Sequence, residues 1–204
     1  MSIHRTLAAL ACAAPLAVFA APQTYNVDPV HSFPNFSVAH LGMATIYGRF
    51  DEMNGKVVFD PAAKTGGVEI KIKAATVNTG DAKHEAGSSA AKTYGPRSRD
   101  EHLRTADFFN VAEFPEIVFK STKFNFKGDD VESVEGNLTM LGVTKPLKFQ
   151  VTSFKCGPHP FTKKPMCGAD LQGSIKRTDF GLKFGVPAIS DEVKLMIGVE
   201  AHPE

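Results

Sequence analysis

Apolar residues recur at every second position in many stretches of this chain, with polar residues between them. Val68, Ile70 and Ile72, for example, alternate with Glu69 and Lys71. Because successive side chains of a β-strand point to opposite faces, each stretch has one apolar and one polar face. The pattern predicts ten strands, near residues 24–27, 31–40, 44–50, 54–60, 67–74, 116–127, 131–141, 145–156, 167–177 and 192–201. Such strands need a shared interior, and the alternation alone does not say what fills it.

The connections between these strands are short and contain turn-forming residues, such as Asp28-Pro29, Leu41-Gly42 and Met53-Asn54-Gly55. Short connections favour antiparallel neighbours. The chain has 204 residues with no internal repeat and no linker, which favours one all-β domain. A closed barrel and a two-sheet sandwich are both compatible with this pattern.

Residues 78–115 interrupt the alternation with a long polar segment. Ser98 is placed to cap a short helix, with Glu101 at its third position. Phe108 and Phe109 follow closely and require burial. A segment this long in a compact β domain is usually functional. It either lies across one end of a barrel, with the phenylalanines at its mouth, or forms a surface flap with an aromatic foot in the core.

The first twenty residues have the features of a secretory leader. Arg5 precedes an apolar run from Leu7 to Phe19, and Val18 and Ala20 are small enough for a cleavage site after residue 20. We therefore expect an exported mature domain of residues 21–204. A retained membrane anchor is the alternative, and lipidation at Cys12 a weaker one.

Cleavage would leave a neutral chain, which disfavours nucleic acid as a partner. The leader contains Arg5 and no acidic residue, so Lys plus Arg falls from 23 to 22, against 22 Asp plus Glu. Binding to nucleic-acid phosphates requires a basic surface.

Two cysteines remain after cleavage, Cys156 and Cys167, on either side of the turn-rich segment 157–166. In an exported chain this arrangement predicts a disulfide. The alternative is a metal site that combines both thiols with His159, but it lacks a fourth ligand at the usual spacing. We therefore predict no metal site.

No catalytic or cofactor-binding motif is recognisable, whether nucleophile elbow, zinc-protease helix, phosphate loop or dinucleotide fingerprint. His31 and His40 are separated by an odd number of positions, so a regular strand would point them to opposite faces. Each is interpreted as a hydrogen-bonded histidine near a strand end.

The densest group of titratable residues is Arg99, Asp100, Glu101 and His102. Neighbours on a helix do not face one another, so this group is not a ready acid–base pair. Its donors either contact a polar or anionic head group, or belong to a solvated helix in which Asp100 pairs with Arg104.

Arg177 has the same parity as the apolar residues Leu171 and Ile175. An unpaired charge on the apolar side is costly. The side chain must therefore pair with an acid, donate to carbonyl groups or meet a ligand.

Sixteen Phe and no Trp give the apolar faces a high content of unsubstituted aromatic rings. Aromatic residues at strand spacing usually fill a core, and otherwise they line a cavity for an apolar ligand.

Several motifs, taken in order, resemble the YceI family of exported bacterial lipid-binding proteins. They are Tyr25-x-Val27-Asp28-Pro29-x-His31-Ser32, Phe36-Ser37-Val38-x-His40-Leu41-Gly42, Gly48-Arg49-Phe50, Arg99-Asp100-x-His102-Leu103-Arg104-x-x-Asp107-Phe108-Phe109, Phe114-Pro115, Phe119-Lys120-Ser121, Gly136-x-Leu138-Thr139, Gly142-Val143-Thr144-Lys145-Pro146 and Arg177-x-x-Phe180-Gly181. The resemblance covers residues 23–201.

This resemblance implies an all-β fold, an extended antiparallel lipocalin-like β-barrel with a short helical insertion near residues 98–110. It also implies a hollow interior that holds a polyisoprenoid lipid, either a prenyl quinone or a polyprenyl phosphate, with no cofactor and no catalysis. A membrane protein that donates or accepts the lipid is a candidate partner, and a homodimer is compatible with the sequence. The expected ligand-binding residues are Phe36, Val38, His40, Phe50, Phe59, Ile70, Phe108, Phe109, Phe119, Leu138, Arg99, Asp100, His102 and Arg177.

Two other functions stay open. One is an enzyme that acts on a lipid or quinone in the same cavity, using His40 or His102. The other is a stress-response or adhesion protein whose barrel is filled by its own side chains.

Overall fold

The computed structural model describes residues 22–204, and the predicted leader lies outside this range, so the boundary at residue 21 stays a prediction. The strands are β1 (Gln23–Val27), β2 (Phe33–His40), β3 (Ala44–Phe50), β4 (Met53–Asp60), β5 (Thr65–Lys73), β6 (Val77–Asn78), β7 (Glu116–Lys127), β8 (Asp130–Met140), β9 (Val143–Pro158), β10 (Pro165–Lys176) and β11 (Ile189–Pro203). The helices are α1 (Ser89–Tyr94) and α2 (Arg99–Leu103), with 3-10 turns at Ala74–Thr76 and Arg177–Phe180. None of the helices between residues 22 and 204 has the length and hydropathy needed to cross a bilayer.

Eight antiparallel strands form a closed barrel in the order β1-β4-β5-β7-β8-β9-β10-β11, and β1 pairs with β11 to complete the ring. The predicted β-barrel is therefore confirmed, and the alternative of a two-sheet sandwich is wrong. Strands β2, β3 and β6 continue the sheet from β11.

Strand β11 pairs with two different strands along the same edge. Its first part pairs with β2, and its last residues pair with β1, with Ala201 opposite Val27. Ser32 fixes the turn between β1 and β2, because its Oγ donates to the Glu200 carbonyl (3.1 Å) and accepts from the Glu200 N–H (2.9 Å). We call this junction of β1, β2 and β11 the seam.

All ten predicted strands are present, and the predicted alternation sets which side chains face inward. In β5, Val68, Ile70 and Ile72 face the interior, while Glu69 forms an outer ion pair with Lys120 of β7 (3.1 Å). The predicted helix is present as α2. Strand β6 and helix α1 are additional elements, and both are too short to show a period in the sequence.

The two ends of the barrel differ. The turns at 61–64, 128–129 and 159–164 lie at one end, which we call the lower end. The hairpin turn 41–43, the insertion 78–115 and the segment 177–188 lie at the other, the upper end, because successive strands are antiparallel. At the lower end Phe59 packs against Phe126 and Phe154, with ring centroids 6.3 and 5.1 Å apart.

Cys156 of β9 and Cys167 of β10 lie directly opposite each other and form a disulfide. The thiols are therefore not available to a metal. His159 instead organises the hairpin turn, since its Nδ1 accepts from the N–H groups of Phe161 and Thr162, each at 3.1 Å.

The double variant Cys156→Ser/Cys167→Ser should lower the free energy of unfolding by about 2–3 kcal/mol, because the disulfide restricts the unfolded chain. Urea unfolding followed by circular dichroism measures the change. Reduced wild-type protein is the control and should match the variant. An unchanged midpoint in both samples would contradict the prediction.

Candidate functional site

The barrel is hollow and encloses a cavity of about 920 Å³. Its wall consists mainly of the apolar inward-facing residues of the strands. Thirteen of the fourteen residues expected to bind ligand line this cavity, namely Phe36, Val38, His40, Phe50, Phe59, Ile70, Phe108, Phe109, Phe119, Leu138, Arg99, His102 and Arg177. Asp100 is not one of its lining residues. Contact of these residues with a ligand stays a prediction.

Two phenylalanine rings of the wall pack over a glycine of the neighbouring strand, where no side chain stands in their way. Phe119 covers Gly136, where an added Cβ would lie 2.5 Å from the ring, and Phe149 covers Gly173, where it would lie 3.0 Å away. A larger residue at either position would force the ring to shift, and at Gly136 it would also meet the Lys120 carbonyl. Glycine within a strand often marks such a close approach, so Gly136 and Gly173 are the signal for these positions in the sequence.

The polar residues that line the cavity are concentrated at its upper end, on the insertion. Thr79, Asp81, His84, Arg97, Ser98, Arg99 and His102 all contribute. His84 contacts Asp81 (Nε2 to Oδ1, 3.1 Å), and the Arg99 guanidinium donates to Thr79 Oγ1 (2.7 Å) and the Thr79 carbonyl (3.1 Å). The insertion therefore lies across the upper end, which we call the mouth, and Phe109 packs against Phe50 with centroids 5.3 Å apart.

Helix α2 begins with the predicted capping box. Ser98 Oγ accepts from the Glu101 N–H (3.2 Å), and the Glu101 carboxylate accepts from the Ser98 N–H (2.7 Å). The Ser98 backbone N–H, and to a smaller extent the Ser98 side chain, stabilise the charged Glu101 carboxylate by hydrogen bonding and so lower the pKa of Glu101. The capping box thus stabilises the start of this five-residue helix, which contains Arg99 and His102.

Asp100 is almost fully buried, with 1% of its surface exposed. Its Oδ1 accepts from both the N–H and the Oγ1 of Thr79, the former at 2.9 Å. Its Oδ2 has no hydrogen-bond partner among residues 22–204. Arg104 does not pair with it but donates to the carbonyls of Ala75 (2.7 Å) and Val77 (3.0 Å). The solvated Asp100–Arg104 pair considered from the sequence is therefore wrong. Asp100 ties α2 to the start of the insertion, and Arg104 ties α2 to the chain that precedes the insertion.

His102 sits between two phenylalanines at the mouth. Its ring contacts Phe108 and Phe184 edge to face, each with centroids 5.0 Å apart. Its Nε2 is 2.7 Å from Asp107 Oδ2. This cluster joins the insertion to the segment 177–188.

Arg177 is 4% exposed, on the inward face as predicted. It donates to the carbonyls of Ser190, Leu182, Phe184 and Ile189 at 2.8–3.2 Å. Desolvation lowers its pKa, and the charge of Asp191 partly opposes this. Of the three environments predicted for Arg177, donation to carbonyls is the one observed. These hydrogen bonds fix the backbone of the segment that borders the mouth.

The two histidines at odd spacing are separate, as predicted. His40 lines the cavity near the mouth. His31 lies outside, in the turn before β2, where its Nδ1 is 2.8 Å from Asp28 Oδ2.

Comparison with known proteins places these features in a family. Residues 25–201 match the family model described as YceI-like domain. The chain is 36% identical over 181 residues to Protein YceI of Escherichia coli O17:K52:H18, covering 86% of this chain and 85% of that one. The structure resembles the Campylobacter jejuni YceI protein (TM-score 0.62, 27% identity, 81% of this chain and 89% of that chain). It also resembles a polyisoprenoid binding domain from Saccharophagus degradans (TM-score 0.54, 18% identity, 89% and 99%), a likeness of fold.

The substitution Asp100→Ala should lower the free energy of unfolding by about 1–3 kcal/mol, because it leaves the partly buried N–H and hydroxyl of Thr79 without their acceptor. Urea unfolding measures the loss, and hydrogen exchange should become faster across residues 79–104. The control is Glu85→Ala, whose side chain is 77% exposed and should change stability by less than about 0.5 kcal/mol. Equal stability of the two variants would contradict the assigned anchoring role.

Proposed function

The chain belongs to the YceI-like family, and on that premise we propose that its barrel binds a polyisoprenoid lipid without changing it chemically. The observation that carries the proposal is the cavity itself, an apolar space of about 920 Å³ whose polar lining residues gather at one end. An amphiphile with a long tail and a small polar head has the same distribution. The name of the Saccharophagus degradans domain, which describes polyisoprenoid binding, supports this class of ligand.

The energetics favour a prenyl tail. Each buried methylene contributes about 0.8 kcal/mol. Ten or more isoprenoid carbons would therefore supply several kcal/mol beyond the cost of association. The wall consists largely of aromatic rings and branched aliphatic side chains, which would contact the methyl branches of a prenyl tail.

We also propose export and a carrier role. The leader at residues 1–20 and the disulfide fit an oxidising compartment such as the periplasm. A prenyl lipid does not cross water unaided, so a soluble barrel with a membrane protein as donor or acceptor would move it. Around the mouth Leu41, Met43 and Phe184 are 56%, 89% and 46% exposed, which suits the transfer of an apolar cargo at this end.

An enzyme acting on the same lipid is the second candidate, and one observation favours it. His102 lines the cavity and its Nε2 is 2.7 Å from the Asp107 carboxylate, a pairing that can orient an imidazole for proton transfer. Product formation from a prenyl quinone that is lost in His102→Ala would support this function. The filled barrel is incompatible with the hollow interior.

The direct test of binding is organic extraction of the protein purified from its native periplasm, followed by mass spectrometry. We expect one equivalent of a prenyl lipid with its mass unchanged. Recovery of no lipid, together with no uptake of an added prenyl quinone, would contradict the proposal.

Filling the cavity should abolish this uptake. Val38 faces the cavity, while its neighbour Ala39 is exposed on the outer face of β2. Val38→Trp should lower lipid occupancy at least tenfold, because the indole occupies the space of the tail. Ala39→Trp is the matched control and should bind like the wild type. Equal occupancy in the two variants would place the lipid outside the barrel.

The head group is tested at Arg99, which lies at the mouth and is exposed. If the cargo is a polyprenyl phosphate, Arg99→Gln should weaken its binding about tenfold and leave binding of a prenyl quinone unchanged, because only the phosphate gains a charge-assisted hydrogen bond. Fluorescence competition with both lipids measures the ratio. An equal effect on both lipids would exclude a phosphate contact at this residue.

A further inference from the structure

Three metal-ligating side chains, Asp28, Glu200 and His202, converge on the outer wall of the barrel, away from the cavity, and His31 contacts Asp28 beside them. Asp28 and His31 belong to the turn between β1 and β2, and Glu200 and His202 lie on the outward face of β11. We call these four residues the seam cluster. Members of the cluster are up to 174 positions apart in the chain, and the pairing of β1 with β11 brings them together.

Asp28 is the centre of the cluster. Its Oδ2 lies 2.8 Å from His31 Nδ1 and 3.5 Å from His202 Nε2. One ligand atom from each of Asp28, Glu200 and His202 lies within 4.8 Å of the other two. In a tetrahedral zinc site with bonds of 2.0–2.1 Å, neighbouring ligand atoms are about 3.3–3.4 Å apart. Small side-chain rotations would therefore bring these three donors to coordination distance, and the His31 ring would turn its Nδ1 from Asp28 to the metal as the fourth ligand.

We propose that the seam cluster binds one divalent transition-metal cation, with two imidazole nitrogens and two carboxylate oxygens as ligands. This donor set suits Zn²⁺, Co²⁺ or Ni²⁺. Mg²⁺ prefers six oxygen ligands in octahedral geometry and does not fit it. The site is separate from the cavity and does not depend on the proposed lipid function.

Neighbouring residues hold the Asp28 carboxylate and the backbone of Glu200 in place. Asp28 Oδ1 accepts from the Val30 N–H (2.7 Å), which leaves Oδ2 to face the histidines. The backbone of Glu200 is fixed on both sides by Ser32 Oγ. Such supporting hydrogen bonds orient ligands before a metal arrives.

Access also suits a cation. The side chains of His31, His202 and Asp28 are 62%, 40% and 15% exposed, so solvent reaches the histidines while the central carboxylate is largely covered.

A bound cation would join the turn that precedes β2 to the end of β11. It would thereby cross-link the strands that close the barrel. Because a ligand that binds only the folded state stabilises it, melting should shift upward with metal concentration. At a hundredfold excess over the dissociation constant, we expect a rise of about 5–10 °C in Tm.

The test is isothermal titration of the chelator-stripped full protein with Zn²⁺, and with Mg²⁺ as a comparison. We expect one Zn²⁺ per chain and no measurable Mg²⁺ binding. Glu200→Gln and His202→Ala should each weaken Zn²⁺ binding at least tenfold and reduce the Tm shift. Glu192→Gln, on the outward face of the same strand, and His159→Ala are matched controls and should bind like the wild type.

A second measurement needs no variant. Co²⁺ bound by the wild-type protein should give the strong visible absorption of a tetrahedral site, and one equivalent of Zn²⁺ should abolish it. Zn²⁺ binding that is equally strong in the Glu200→Gln/His202→Ala double variant would overturn the proposal. So would the absence of both a Tm shift and a Co²⁺ spectrum.

Discussion

The hollow barrel depends on the double pairing of β11. Its first part pairs with β2 and its last residues with β1, so the ring closes. Backbone N–H and C=O groups must be paired wherever water is excluded. Closure satisfies them within the wall, and the wall then needs no packed interior to support its polar groups.

The two regions of the cavity are built by different parts of the chain. The wall comes from regular strands, whose alternation places apolar side chains inward at little cost. The mouth comes from irregular segments, which need specific anchors. Asp100 ties α2 to Thr79, and Arg177 donates to two carbonyls of the segment that carries Phe184 and to two at the start of β11. Each anchor is a buried polar residue whose loss would disturb the mouth before the wall.

The sequence predicted those features that depend on near neighbours in the chain. The alternation of Val68, Ile70 and Ile72 placed β5 and its inward face, and Ser98 with Glu101 placed the start of α2. It could not predict features that depend on distant contacts. Asp100 looks solvated until Thr79 is seen beside it, and Asp28 meets His202 only through the closed sheet. Alternation also identifies a face as apolar without showing whether it packs against side chains or lines a cavity. The cavity was therefore predicted only from the family resemblance.

Phe119 packs over Gly136 and Phe149 over Gly173, so the inner width of the barrel depends at each place on residues of two adjacent strands. A ring can rest against the wall only where the adjacent strand has no side chain in its way. A methyl group added at Gly173 would press on the Phe149 ring at 3.0 Å, and at Gly136 it would meet both the Phe119 ring and the Lys120 carbonyl, so ring and strand would have to shift together. The width of the cavity is thus set partly by positions where the chain has no side chain, and a substitution behind the lining would change that width as directly as one within it.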